Sequence, residues 1–409
     1  MDGFTRALAP KIISLLKEFP LVAILGVRQC GKTTLAKQLC PDWRYVDLED
    51  PDDFDLFDRD PKFFFSTNPH SVIFDEAQEN PELFKILRGV VDKEREKKGR
   101  FILTGSSHPE LLSHISESLA GRIAVVELGT LKFSEYFRKP LSPLYSLLSK
   151  SKIEGHEFSH LEPQISAAEV RKFWLRGGYP EPLFRVGSWN NWMDNYRKSY
   201  VNRDIRKLFP RLDLIRFRRF LSMLATLSGT IINRADLAAA VEVSEPSIKD
   251  YIDIAHGTYV WRNLPSLERN VGKAVTKMPK GYIRDSGLLH FMLKISTLEA
   301  LVQNPIVGRS FEGFVTEELL KGLEASTATH WTAHYYRTRN RAEIDLVIDG
   351  EFGLLPIEIK TGLQIRGSDF GTLKLFIKEQ NLPLGLLINN SDKVEWIADR
   401  ILQMPVGCL

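Results

Sequence analysis

The chain has 409 residues, room for two to four domains. Its 43% hydrophobic and 26% charged residues match a soluble globular composition, and a net charge of +3 is too small to imply a nucleic-acid partner by itself. Cys30, Cys40 and Cys408 form neither a metal spacing nor a disulfide framework, the first residues lack a secretory pattern, and no apolar run approaches the roughly 20 residues that span a bilayer. A reducing, cytoplasmic setting with no membrane partner is the expectation.

Pro10 to Phe19 reads as an amphipathic helix that Pro20 ends, with Pro10 tolerated in its first turn. Leu21 to Leu25 is an apolar strand. It runs into Gly26-Val-Arg-Gln-Cys-Gly-Lys-Thr33, and Thr34 to Leu39 suits a helix. Strand, glycine loop and helix make the context of a P-loop. Gly26 and Gly31 let the backbone fold around phosphate oxygens, and the amides of the helix start, Thr34 among them, can donate to those oxygens. Lys32 can reach the β- and γ-phosphates of ATP, and Thr33 can offer its hydroxyl to Mg²⁺. Downstream, an apolar strand ends in Asp75-Glu76. Asp75 fits the place beside Mg²⁺, and Glu76 can orient and polarise the attacking water. A third strand ends in Thr104-Gly-Ser106-Ser107. Ser106 and Ser107 can sense the γ-phosphate or cap the next helix.

Strands are expected at 21–26, 43–48, 71–75, 101–104 and 123–128, with helices at 32–39, 81–97 and 108–119. Short apolar strands separated by helices argue for a parallel sheet covered on both faces. Gly26, Asp75 and Thr104 all fall at strand C-termini, where such sheets carry their sites.

Residues 140–165 are rich in Ser, Pro, Lys and Glu and read as an irregular insertion or linker. A helical stretch follows from 167 to 228, interrupted by Gly177-Gly-Tyr-Pro-Glu-Pro182. Asn233 to Val241, a tight turn and Glu245 to Ile254 form a helix-turn-helix pattern, with Ser244 able to cap the second helix. That helix carries Glu245, Asp250 and Asp253 against Lys249, which phosphate repulsion makes a poor reader of a DNA groove. The weakly alternating stretch from Tyr259 to Ile283 suits a wing. It carries Arg262, Arg269, Lys273, Lys277 and Lys280, with Arg284 just beyond. DNA contact led by the wing and a purely structural role both stay open.

From Val307 the pattern changes to helix 309–323, strands near 333–337, 343–349 and 353–360, helix 369–379 and strand 384–389. Asp345 lies on one strand. Glu358 and Lys360 alternate along the next and share a face. Two carboxylates there can hold Mg²⁺, Glu312 from the preceding helix can complete the site, and Lys360 can stabilise charge on a phosphate. This arrangement resembles the PD-(D/E)xK nuclease fold, whose helix Glu, strand Asp and Glu-x-Lys are filled by Glu312, Asp345, Glu358 and Lys360. Use of that fold for binding alone is the alternative.

The motif order across the chain resembles a widespread prokaryotic family of AAA-type ATPases with a C-terminal domain of unknown function. It runs through the glycine loop, Phe-Asp-Glu-Ala-Gln78, Leu-Thr-Gly-Ser-Ser107, Leu-Ala-Gly-Arg122, Gly-Gly-Tyr-Pro180 and Arg203-Asp-Ile. The resemblance implies an α/β chain in four parts. These are a P-loop ATPase domain at 1–139, a linker and helical lid at 140–210, a winged helix at 211–300 and a restriction-endonuclease-like α/β domain at 301–409. It also implies an arginine finger at Arg122 that serves a neighbour's nucleotide in a homo-oligomer, and a lid contact at Gly178-Tyr-Pro180 like that of the signalling ATPases of the STAND group. An ordinary ion pair and a plain turn are the respective alternatives. The expected function is an ATP-hydrolysing, nucleotide-switched protein acting on nucleic acid, DNA above all, through the basic wing or the end domain. Mg²⁺-dependent DNA cleavage by the end domain belongs to that expectation. The competing function is an ATP-driven oligomeric docking switch whose end domain is catalytically silent.

Overall fold

The computed structural model of the protein describes residues 5–106, 115, 117–184, 189–268, 278–338, 340 and 342–409. They form two compact units, one running to Leu131 with Gly257–Tyr259, the other comprising Lys132–His256 and Val260–Leu409.

The first unit is built on five parallel strands, β1 (Leu21–Gly26), β2 (Arg44–Asp47), β3 (Val72–Asp75), β4 (Phe101–Ser106) and β5 (Ile123–Glu127), in the order β2-β3-β4-β1-β5. Every residue of β1 is buried, as a strand covered on both faces requires. Leu21, Ala23 and Leu25 share one face by the two-residue alternation. They join a core with Phe74, Leu103 and the apolar stripe Leu83, Phe84, Leu87 and Val91 of one helix, Glu82–Asp92. Because all five strands run the same way, Gly26, Asp75 and Ser106 emerge at one edge of the sheet.

The sequence pattern gives no helix between β2 and β3, yet two occur there, Pro51–Arg59 and Pro61–Thr67. The aspartates of this stretch act as caps. Asp50 accepts from the amides of Asp52 and Asp53, Asp60 accepts from that of Phe63, and each cap is followed by a proline in the first turn. The helices bring Phe57, Phe64 and Phe65 onto Phe74. Phe57 meets these rings edge-on at centroid distances of 5.4, 5.8 and 5.5 Å. The expected helix at 108–119 lies largely outside the described residues.

In the second unit, residues 140–165 are not a plain linker. Short helices at Pro143–Leu147 and Gly155–Phe158 bury Leu144, Tyr145 and Phe158. Asn233 caps the helix Arg234–Val241, Glu242 ends it in the left-handed conformation, and the Ser244 hydroxyl accepts from the Ser247 amide at the start of Glu245–Gly257. Strands β6 (Thr230–Ile231), β7 (Trp261–Leu264) and β8 (Lys280–Ile283) form an antiparallel sheet with β8 in the centre. Gly281 is obligatory there, since a Cβ would lie 1.9 Å from the Trp261 ring.

The chain then enters the long helix Val307–Ala325 and a six-stranded mixed sheet. Its strands are β9 (Thr332–Arg337), β10 (Glu343–Gly350), β11 (Gly353–Ile359), β12 (Gly385–Asn389), β13 (Glu395–Ala398) and β14 (Ile401–Pro405), in the order β13-β14-β12-β11-β10-β9. β9, β10 and β11 form an antiparallel meander. The helix Gly371–Gln380 then leads to β12, which lies parallel to β11.

Phe57 is fully buried and contacts three other rings. Phe57→Ala is expected to lower the stability of the first unit by about 3–5 kcal/mol. Urea unfolding monitored on that transition measures it, and a loss below about 1 kcal/mol would show that the cluster relaxes into the space.

Candidate functional site

At the edge of the first sheet the glycine loop leaves β1 and starts the helix Lys32–Leu39. Gly31 has φ +98°, a conformation that side chains resist, and a Cβ on Gly26 would stand 2.1 Å from the Leu128 carbonyl oxygen. Both glycines are therefore required by the path of the loop. Arg6 braces it from outside, donating to the carbonyls of Cys30 and Gly129 at 2.8 Å each. The Cys30 thiol donates to the Leu128 carbonyl at 3.2 Å; all three cysteines are free and buried.

Lys32 is 5% exposed, and its ammonium donates to the carbonyls of Gly26 at 3.2 Å and Val27 at 3.1 Å. Among the described residues no carboxylate pairs with it. Thr33 donates its hydroxyl to Asp75 at 2.7 Å, joining the loop to the end of β3. Asp75 also accepts from the Tyr45 hydroxyl at 2.7 Å and from the Thr104 hydroxyl. Burial and the Asp75 carboxylate push the Tyr45 phenol well up, so it stays a donor, and Lys37 lies 3.3 Å from the centre of its ring. The sequence reading misses Tyr45. Its only signal is the alternation Tyr45, Asp47 at the end of β2, in the strand beside Asp75.

The structure brings Glu76 and Ser106 together as well. Glu76 has φ +50° and its carboxylate accepts from Gln78 at 2.6 Å and from the Ser106 amide at 3.3 Å. Thr34 is exposed in the first helical turn, and Ser107 lies outside the described residues. Arg122 makes a two-point ion pair with Asp92, at 2.7 and 2.9 Å, just before β5. Pro180 belongs to the second unit, where it is buried at the start of the helix Pro180–Phe184. Beside it the Gly178 amide donates to Asp285 at 2.8 Å, and Tyr179 and Tyr196 share a hydroxyl contact of 2.7 Å. These residues fit a Mg²⁺-nucleotide: backbone amides at a helix start, a buried ammonium with no counterion among the described residues, and a hydroxyl and carboxylate already aligned.

In the second unit Glu312, Asp345, Glu358 and Lys360 also meet. Leu346 pairs with Ile357, which sets Asp345 opposite Glu358 across β10 and β11, and Asp345 accepts from the Ile359 amide at 2.9 Å. Lys360 pairs with Glu358 at 2.6 Å, whose second oxygen is buried without a hydrogen-bond partner among the described residues. Burial first, then the Asp345 charge, pushes Glu312 and Glu358 each up to about 8. Oxygens of Glu312, Glu343 and Asp345 lie within 4.8 Å of one another, a spacing a metal ion could bridge. The ammonium of Lys280 stands among them instead. It contacts Glu312, and it lies 2.5 Å from Glu343 and 3.7 Å from Asp345. As arranged, the carboxylates do not fit a metal, because a side-chain cation holds its place. Sequence reasoning missed Lys280 and Glu343 here.

That arrangement corrects the view of the stretch 259–284 as a free basic wing. Lys280 is 3% exposed and committed to carboxylates. Arg262 and Arg284 both pair with the buried Glu317, through contacts that include two of 3.1 Å. Arg269, Lys273 and Lys277 lie outside the described residues.

Comparison with known proteins places an AAA domain at residues 18–137. Two domains of unknown function match residues 167–299 (DUF8612) and 307–409 (DUF4143). The chain is similar to the uncharacterized proteins Rv2008c of Mycobacterium tuberculosis and Mb2031c of Mycobacterium bovis. Each is 33% identical over 350 residues, covering 84% of this chain and 71% of the relative. Among solved structures it is similar to the Walker-type ATPase PABY2304 of Pyrococcus abyssi, at 18% identity and a TM-score of 0.44, over 71% of this chain and 96% of that one. Among the described residues, no helix is long and apolar enough to cross a membrane.

Burial alone would raise the Glu317 carboxyl, but Arg262 and Arg284 outweigh it and bring it down to about 2. Glu317→Gln removes the buried anion that two partly buried guanidiniums share and is expected to cost about 3–5 kcal/mol near neutral pH. A group held below its ordinary value stabilises the fold above that value, 4.5, and the contribution disappears as pH falls toward about 2. Urea midpoints of wild type and variant should therefore differ fully at pH 7 and converge in acid. A gap that stays constant with pH would mean that the variant's loss is one of packing.

Proposed function

The chain belongs to the same family as these mycobacterial proteins and carries an AAA domain, and we propose that it is an ATP-hydrolysing, nucleotide-switched protein that acts on nucleic acid. The observation that carries the ATPase reading is Lys32. Among the described residues this buried ammonium is held only by two neutral carbonyls, and an anion at the adjacent helix start would supply the compensation it lacks. In this reading the loop from Gly26 to Gly31 and the amides of Lys32, Thr33 and Thr34 bind the phosphates. Lys32 reaches the terminal ones, and Thr33 with Asp75 holds Mg²⁺. Bound Mg²⁺ neutralises charge on the phosphates. Glu76 positions the water, with Ser106 and Gln78 fixing its carboxylate. Ser106 completes the nucleotide contacts. Arg122 would exchange Asp92 for the nucleotide of a neighbouring subunit in a homo-oligomer.

The four-part division at 139, 210 and 300 is retained in this reading, with 211–300 as a winged helix and 301–409 as the PD-(D/E)xK-like part. Two short helices joined at a tight turn, followed by a hairpin, support the first assignment. Glu312 on a helix, Asp345 on the central strand of the meander, and Glu358 on the next, with Lys360 just past its end, support the second. Nucleic-acid contact then falls to Arg269, Lys273 and Lys277 or to the end domain. The second reading, an ATP-driven oligomeric docking switch with a silent end domain, is favoured by Lys280, which stands where a cleavage metal belongs.

Glu76→Gln should keep ATP binding and cut phosphate release by about 10²–10⁴-fold, because only water activation is removed. Lys32→Ala should weaken binding itself. Measured nucleotide affinity and steady-state hydrolysis separate the two, and wild-type turnover in Glu76→Gln would overturn the role of Glu76. Binding to DNA that weakens steeply with salt supports the nucleic-acid reading. Absence of binding, with clean ATP-dependent assembly, supports the docking switch.

A further inference from the structure

Three carboxylates crowded within 4.8 Å repel one another and need a cation between them. The cation they have is covalent. Lys280 sits on β8, which pairs with β6 on one side and β7 on the other, so its backbone cannot drift. Two residues along the same face, Tyr282 donates its hydroxyl to the same Glu312 oxygen that Lys280 contacts, at 2.5 Å. One face of one strand thus supplies both partners of Glu312. The Lys280 side chain is 4% exposed, which leaves little room for a solvent ion beside it. Beside the cluster, Glu358 is 7% exposed and keeps an oxygen with no hydrogen-bond partner among the described residues. It stands opposite Asp345, leaving the cluster with more acceptor capacity than one ammonium consumes.

We infer that Lys280 is a tethered substitute for a divalent cation, so that β8 holds the cluster of Glu312, Glu343 and Asp345 closed to metal. The inference rests on the PD-(D/E)xK-like reading of the end domain, and it adds a regulator to that site: the site is a latent Mg²⁺ or Mn²⁺ site, opened only when the Lys280 charge leaves. A hard divalent ion suits the set, since all donors are carboxylate oxygens. Tethering gives the ammonium an advantage that no free ion at ordinary concentration matches, because its binding is intramolecular.

The test uses the full chain and Mn²⁺ alone, read by electron paramagnetic resonance and by thermal unfolding, with DNA cleavage assayed in parallel. Wild type should bind no Mn²⁺ at the cluster. Lys280→Met should be less stable than wild type without metal, gain one Mn²⁺ site of about millimolar affinity or tighter, and recover stability as Mn²⁺ is added. Adding Asp345→Asn to Lys280→Met should erase the gain. Lys280→Gln, which keeps a hydrogen-bond donor without the charge, serves as the second variant. A Lys280 variant that folds only with Mn²⁺ supports the inference, and failure of both variants to fold even with Mn²⁺ overturns it. Folded variants that bind no Mn²⁺ overturn it, and so does wild-type binding that depends on Asp345 and matches Lys280→Met. Cleavage distinguishes the underlying reading. Metal gained without any cleavage leaves the inference standing and removes the nuclease, whereas Asp345-dependent cleavage by wild type keeps the nuclease and removes the inference.

Discussion

The carboxylate of Asp75 is the interaction on which the first unit turns. It receives hydroxyls from Thr33 at the start of a helix, Tyr45 on β2 and Thr104 on β4. These residues are far apart in the chain. They converge only because β4 lies between β1 and β3 and β2 lies beyond β3, with all strands parallel. A buried carboxylate without donors would carry a heavy desolvation cost, so the strand order and the hydroxyls require each other. Neutral donors also satisfy Asp75 without cancelling its charge. A cation arriving beside Thr33 still meets a full negative charge.

The second unit obeys the same constraint by other means. The helix Val307–Ala325 is buried along most of its length and carries three buried glutamates. Glu312 meets Lys280 and Tyr282, Glu317 meets Arg262 and Arg284, and Glu318 lies 3.5 Å from Lys132. Such pairs need not exceed apolar packing in stability, because both charges lose water. They do select an arrangement. The cations come from β7, β8 and the segment after Leu131, and sliding any of these elements along the helix would strand two charges at once. The long helix therefore fixes the β7–β8 hairpin through electrostatics as well as through contact.

Much of this was legible in the sequence wherever local pattern and chemistry coincide. The glycine loop, the acid pair after β3 and the parallel sheet follow from apolar runs and the residues that end them. Glu312, Asp345, Glu358 and Lys360 were also found, since their spacing along helix and strand is local. What escaped is what pattern cannot encode. The helices Pro51–Arg59 and Pro61–Thr67 were hidden by aspartates that serve as caps. The strands Glu395–Ala398 and Ile401–Pro405 are short, and the first is partly exposed, so no alternation marks it. Lys280 read as a surface cation because its neighbours in sequence are ordinary. All four residues of β8 are buried, which only the tertiary structure reveals.

Lys32 and Lys280 show why matching a motif differs from having a site ready for its ligand. Both are buried lysines in motifs at functional spacings. Among the described residues Lys32 binds only backbone carbonyls, while Asp75 accepts from hydroxyls, so neither is paired with an opposite charge there. In the proposed reading, a ligand that is anionic at one end and metal-bound at the other would complete them together. Lys280 spends its charge on three carboxylates, and those carboxylates spend theirs on it. Anything entering there must first displace a partner held by its own strand. The balance of charge inside each cluster, more than the identity of its residues, therefore separates a site prepared for a ligand from one that the fold has already filled.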